Sequence, residues 1–342
     1  MVQARQQCDD SSVRRLEPAD FADAVRRTLE SPPAGADPWV LSFYRDLRTE
    51  AGMRRFSRAH QQLISLAGGV VGRDVVDAGS GFGMAANLIA SWGARRVHAI
   101  ELLGSMVDTH RRILTRDFPH LQNVCTIRGD VGAIPLVGQS VDLVLSVEAI
   151  SHYFALDAFL DESARVLRRG GTLLVSDANN GANPRVRAAT EEIWQRWEHG
   201  PHGHLDHHDI TDTFVERRAR IVRERFPALP ADHVELYAAA TSGFDRGEVE
   251  TAVRRHLDGG PRPASFYKRG DLPRDPDNGT VAERLFDPIA LGREIEKRGF
   301  NVRVLAHFGG ARNDLFRAAN AVLRWLPLFR YAPAFRIVAV KR

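Results

Sequence analysis

The sequence predicts an α/β protein built on a mostly parallel sheet with helices on both faces. Three observations carry this expectation. Short β-rich runs alternate with helical runs from Asp74 to Asp177. The first of them ends in a glycine-rich turn, "VVDAGSGFGMAANLIA" at 75–90, which reads as strand, tight turn and helix start. The alternation then breaks for about a hundred residues and resumes near the C-terminus. Parallel strands need helical crossovers, which bury both sheet faces and leave the carboxyl ends of the strands open to ligands.

Residues 1–70 read as an N-terminal helical segment. "EPADFADAVRRTLE" is one helix. "DPWVLSFYRDLRTE" is a second, with Asp37 as cap and Pro38 in its first turn, and "MRRFSRAHQQLISLA" is a third with apolar residues at helical spacing. In the core, assigned to 71–178 and 285–342, "DVVDAG", "RRVHAIEL", "NVCTIRGD", "VDLVLSVE" and "GTLLVSDA" read as strands. The intervening helices are "GMAANLIASWG", "LGSMVDTHRRILTRD" and "ALDAFLDESARVLRRGG".

Residues 179–284 read as a helical insertion expected to act as a substrate lid. Asn183 caps a helix that has Pro184 at its first position. Asp245 and Glu248 have capping-box spacing. "GGPRPASFYKRGDLPRDPDNGT" is a Pro/Gly-rich loop. "DPIALGREIEKRGF", "NVRVLAHF" and "AFRIVAVKR" restore the helix-and-strand pattern. The apolar "NDLFRAANAVLRWLPLF" between the last two has core packing as its default role, with a pocket wall or a homodimer surface as alternatives.

Composition narrows the functional classes. With 342 residues, 44% hydrophobic and 26% charged, the chain can bury a sizeable core. No apolar run reaches the roughly 20 residues that span a bilayer, so no membrane partner is expected. "MVQARQQCDD" has no apolar region of the export type, and Cys8 and Cys125 form neither a disulfide framework nor a zinc spacing. A cytoplasmic setting is the expectation. The net charge of +4 comes from arginines mixed with acids over many helices, which reads as solvated helix faces rather than a nucleic-acid surface.

The glycine turn decides which nucleotide-like ligand fits. A dinucleotide fingerprint starting at Gly79 would place its third glycine at 84, where the chain has Met84. The pattern is instead Asp-x-Gly-x-Gly-x-Gly. Asp77 brings a carboxylate where a pyrophosphate would be repelled and an amino group welcomed. Glu101 ends the second strand, where an acid accepts from ribose hydroxyls, and Asp130 ends the third, where one can accept from an adenine amino group.

On these residues, 72–178 resemble class I S-adenosylmethionine-dependent methyltransferases of the small-molecule type. Asp77, Gly79, Gly81 and Gly83 match their first motif, Glu101 the ribose acid and Asp130 the adenine-side acid. "VDLVLSVEAISHY" matches the strand-four motif and "VLRRGGTLLVSD" the following helix and strand. The resemblance implies a Rossmann-like, seven-stranded sheet whose last strand is antiparallel, with S-adenosyl-L-methionine as cofactor. It further implies that Ser80, Leu102, Met106, Val131, Ser146 and Val147 lie beside that cofactor.

Methyl transfer to a hydroxyl needs a general base. His152, just after the fourth strand, is the expected base, with Asp177 orienting the imidazole and Glu148 facing the cofactor's methionine end or the acceptor. Tyr153 is expected in the pocket wall. "HGPHGHLDHHD" at 199–209 is expected to be an acceptor-side loop rather than a metal site, since magnesium prefers oxygen ligands. The expected activity is O-methylation of a sugar or secondary metabolite. N- or C-methylation is the alternative, and a nicotinamide oxidoreductase or a non-catalytic scaffold is more remote.

Overall fold

The computed structural model describes residues 17–205, 208–265, 273–309, 320, 322–323 and 326–342. Cys8 and most of the apolar stretch 313–329 lie outside the described residues. So do Asp206, His207 and part of the Pro/Gly-rich loop. The chain divides into two compact units. One comprises 1–150, 155–178 and 287–342, and the other 151–154 and 179–286.

The first unit is the α/β body. Its strands are β1 (Asp74–Ala78), β2 (Arg96–Glu101), β3 (Val124–Arg128), β4 (Val141–Val147), β5 (Leu167–Asp177), β8 (Phe300–His307) and β9 (Ala334–Lys341). They form one seven-stranded sheet in the order β3-β2-β1-β4-β5-β9-β8. Only β9 runs against its neighbours. Central β1 is buried along all five residues, as expected of a parallel strand covered on both faces. Register aligns Asp77 with Ala99 on β2 and with Leu145 on β4, so these strands end at one edge.

Helices α4 (Met84–Ser91), α5 (Gly104–Asp117), α6 (Leu156–Val166) and α11 (Pro288–Glu296) complete this body. Asp287 caps α11 by accepting from Ile289 N and Ala290 N. Strand β5 starts four residues earlier than its sequence suggested. Pairing with β4 shifts between Val141 and Leu143, and a left-handed Gly170 takes up the irregularity. Arg168 secures this start by bonding Asp142 at 2.6 Å and Asp74 at 3.1 Å. Cys125 is buried in β3, as expected.

The N-terminal segment supplies α1 (Pro18–Glu30), α2 (Trp39–Phe43) and α3 (Glu50–Ser65). Phe21, Val25 and Leu29 of α1 enter the core, and Phe21 meets Phe118 with ring centroids 5.5 Å apart. The long second helix read from sequence is broken. It stops at Phe43, and a 3-10 turn covers Arg45–Arg48. Tyr44 leaves the helical conformation (φ −107°, ψ 22°) and turns its ring inward against Phe82, so tertiary packing overrides local propensity.

The second unit contains α7 (Pro184–His199), a two-stranded ribbon of β6 (Gly203–Leu205) and β7 (His208–Ile210), α8 (Phe214–Arg225), α9 (Ala231–Ala240) and α10 (Arg246–Leu257). Its core gathers Ile221, Val222, Val234, Tyr237, Ala238, Val249 and Val253. The predicted Asn183 cap and the Asp245/Glu248 capping box both form, and a second box joins Thr213 to Glu216. The fully buried guanidinium of Arg218 bonds Glu198 with two nitrogens and Ala238 O with its Nε.

Residues 151–154 belong to this unit through hydrogen bonds. Arg284 N donates to Ser151 O at 2.8 Å and Val281 N to His152 O at 3.2 Å. The Arg284 guanidinium reaches the carbonyls of Tyr153 and Phe154. Arg274 stacks its guanidinium 3.7 Å above the Phe154 ring.

Candidate active site

The turn after β1 is built by glycine. Gly79, Gly81 and Gly83 have φ of 69°, 55° and 80°, a left-handed path that side-chain-bearing residues rarely adopt. Gly79 N and Ser80 N both donate to Ile100 O, which ties the turn to β2. Glu101 closes it. Its Oε2 accepts from Gly81 N and its Oε1 from Leu103 N, both at 2.9 Å. Glu101, expected from sequence to hold the ribose, is the anchor of the glycine turn.

Asp77 is buried under this turn, and among the described residues its Oδ2 has no hydrogen-bond partner. The hydroxyl of Ser80 is likewise unpartnered. Burial pushes the Asp77 carboxyl up to about 7, and the charge of Glu101 adds to the effect. A buried acid with an unused oxygen is costly unless a cationic or donor group meets it. The residues thus fit S-adenosylmethionine: an acid for an amino group, an anchored acid for ribose, and a turn without side chains.

The other residues expected beside the cofactor sit on the same body. Met106 is buried in α5, Leu102 is exposed just past β2, and Ser146 and Val147 end β4. Asp130 is exposed and caps a short 3-10 turn at Val131–Ala133 by accepting from Gly132 N at 2.7 Å. Glu148 follows β4 with a left-handed φ of 48°, and its Oε2 accepts from Ala178 N. Asp177 is fully buried at the end of β5.

Sequence reasoning missed four side chains near the turn. Tyr44 receives a hydrogen bond at its hydroxyl from Met84 N, the first residue of α4. Its pKa is raised, mainly by burial, with contributions from the charges of Asp77 and Glu101. Phe43 lies against Gly81, where a Cβ would come within 3.7 Å of its ring, and Trp39 joins the edge-to-face cluster with Phe43 and Phe82. His110 packs under Gly83 with Nε2 2.9 Å from Asn87 Oδ1, and burial lowers its pKa to about 3. The aromatic "WVLSFY" run was the only hint, and it read equally well as one helix face.

In the second unit, His152 Nδ1 lies 2.9 Å from Val281 O, while Nε2 faces Glu283 Oε1 at 3.8 Å. A backbone carbonyl thus orients the imidazole, the role given to Asp177 on sequence grounds. Along the histidine-rich stretch, where an acceptor-side loop was expected, the described residues form the β6–β7 ribbon, and His202 Nε2 pairs with Glu216 Oε2 at 2.7 Å. The Glu216 carboxyl is pulled down to about 2, first by its capping bond with Thr213 and then by His202.

Comparison with known proteins agrees with this geometry. Residues 76–175 match a family model described as a methyltransferase domain. The chain is 36% identical over 103 residues to dimethylglycine N-methyltransferase of Parasynechococcus marenigrum, covering 30% of this chain and 36% of that one. It is 33% identical over 180 residues to malonyl-[acyl-carrier protein] O-methyltransferase of Yersinia pestis, covering 52% and 55%. The chain therefore spans about half or less of these two relatives. A solved S-adenosylmethionine-dependent methyltransferase from Mesorhizobium loti superposes with a TM-score of 0.44 at 14% identity, over 82% of this chain and 96% of that one. Among the described residues no helix is long and apolar enough to cross a membrane. The glycine turn, its two acids, the sheet order and the match over residues 76–175 together make this body a methyltransferase domain of the class I S-adenosylmethionine-dependent type.

Proposed function

We propose that the chain transfers the methyl group of S-adenosylmethionine to a hydroxyl of a small molecule, a sugar or a secondary metabolite, with His152 as general base. The observation that carries this reading is the imidazole's hydrogen bond to Val281 O. A carbonyl oxygen only accepts, so Nδ1 holds the proton of the neutral ring and Nε2 keeps its lone pair. The side chain is 41% exposed, so Nε2 is open to an acceptor proton.

The cofactor supplies an already activated methyl carbon. The chain's task is to align it and to take up the proton that the acceptor loses. Asp77 holds the cationic end, Glu101 holds the ribose while fixing the turn, and Asp130 with Val131 borders the adenine side. His152 takes the hydroxyl proton at Nε2. Asp177 and Glu148, at the ends of β5 and β4, are assigned to the same end of the sheet. The helical unit supplies the acceptor contacts.

The second reading is N-methylation, favoured by the likeness to a dimethylglycine N-methyltransferase. The test is transfer of a labelled methyl from S-adenosylmethionine to panels of sugars, hydroxylated aromatics and amines. Label on hydroxyls, with kcat about 10²–10⁴-fold lower in His152→Ala and unchanged cofactor affinity, supports the proposal. Label on amines only, at a rate indifferent to His152→Ala, replaces it with the second reading.

A further inference from the structure

The imidazole of His152 faces a carboxylate that no sequence motif announces. Glu283 lies 131 residues downstream, in the same compact unit, with Oε1 3.8 Å from His152 Nε2. Its backbone is left-handed, at φ 59°, a conformation that non-glycine residues hold only where their surroundings enforce it. Three contacts enforce it here. Asn179 Nδ2 donates to Glu283 Oε2, Trp194 Nε1 donates to the Glu283 carbonyl at 2.8 Å, and Arg284 N, one residue on, donates to Ser151 O. Asn179 takes one carboxylate oxygen and leaves the other turned to the ring.

We infer that Glu283 is a positioning residue whose carboxylate serves as the counter-charge of His152 when the ring becomes an imidazolium. The inference rests on the reading of His152 as base. Val281 O takes the Nδ1 proton and fixes which nitrogen is basic, so Glu283 is not needed to orient the ring. Its carboxylate sits beside the other nitrogen, where the new N–H forms when the acceptor's proton arrives. No bond to Glu283 need form or break, because an opposite charge about 4 Å away stabilises the cation by Coulomb attraction alone.

Of the other charged groups on the segment 273–286, Arg274 and Arg284 reach 151–154, while Asp275 is paired with Arg217 and Asp277 with Arg246. Arg284 is spent on the carbonyls of Tyr153 and Phe154, and Arg274 on the Phe154 ring and the acids Glu248 and Asp245. Both guanidiniums oppose a second positive charge on His152, and the carboxylate that faces its Nε2 is that of Glu283. Of the neighbours along the chain, Glu148 accepts from Ala178 N.

The test uses the full chain with the demethylated cofactor bound and ¹⁵N-labelled histidine, with His152→Gln identifying the resonances. In the neutral ring, wild type is expected to show a protonated Nδ1 and a bare Nε2. In methyl transfer to the acceptor found in the panel, Glu283→Gln is expected to lower kcat about three- to tenfold with cofactor affinity unchanged, a range reduced from the buried case because the ring is partly exposed. Glu283→Asp should recover part of the loss. Glu283→Gln keeps an acceptor for Asn179 and leaves the Trp194 bond untouched, so the fold is retained. An Nε2-protonated neutral ring, or a kcat unchanged in Glu283→Gln, would overturn the inference. Failure of the base role is read separately, as normal methyl transfer by His152→Ala.

Discussion

A Cβ placed on Gly83 would overlap the imidazole of His110. The third glycine of the turn is therefore required by packing from α5 as well as by its left-handed φ of 80°. Gly83→Ala is expected to destabilise the fold by about 2–4 kcal/mol, combining left-handed strain with core overlap. Chemical unfolding checks it. His110→Ala should relieve part of that cost, so the double variant should be more stable than the sum of the single losses.

The charge state of Asp77 links cofactor binding to pH. Its carboxyl is raised to about 7 in the folded protein, by burial and then by Glu101. An acid raised on folding contributes stability that is present below its unfolded value near 4 and is lost as pH climbs through the folded value. The cofactor-free protein should thus lose stability between about pH 4 and 7. A cationic ligand needs the ionised form, so affinity should weaken about tenfold per pH unit below 7. Asp77→Asn should abolish that slope. Calorimetry with the demethylated cofactor from pH 5.5 to 7.5 checks both, and a flat wild-type profile would refute the assignment.

Glu101, proposed above to hold the ribose, accepts from Gly81 N and Leu103 N. Glu101→Ala should weaken cofactor binding by about 1.5–3 kcal/mol, the range for hydrogen bonds to a charged group. Because the turn loses its anchor, hydrogen exchange at Gly81 should quicken even without ligand. NAD should bind neither protein, which parallel titrations would establish.

Arg218 is fully buried against Glu198. Arg218→Met leaves that carboxylate without its partner and should cost about 3–5 kcal/mol. Replacing both residues by Met should restore much of the loss, since apolar packing substitutes for a buried pair. Equal instability of single and double variants would point to packing, not charge, as the role of this arginine.

Legibility followed the range of the interactions. Asp77, the three glycines and Glu101 were readable because a strand-end acid and a left-handed turn leave a local signature of a few residues. Asn183, Pro184 and the Asp245/Glu248 box were readable for the same reason, since capping chemistry is settled within one helical turn. Tyr44 was not, because its value comes from Met84 and from two acids on other strands. Nor was Glu283, whose partners Asn179, Trp194 and His152 lie about 90 to 130 residues away.

By itself, the sequence determined the sheet class and the position of the glycine turn with the acids beside it. Hydrophobic periodicity and turn chemistry act between near neighbours. Only the tertiary structure decided that 151–154 belong to the helical unit, that a carbonyl orients His152, that Gly83 makes room for His110, and that the second helix breaks at Tyr44. Each of these depends on which distant side chain fills a volume or pairs with a polar atom. That choice is made by close packing and hydrogen-bond satisfaction across the whole fold.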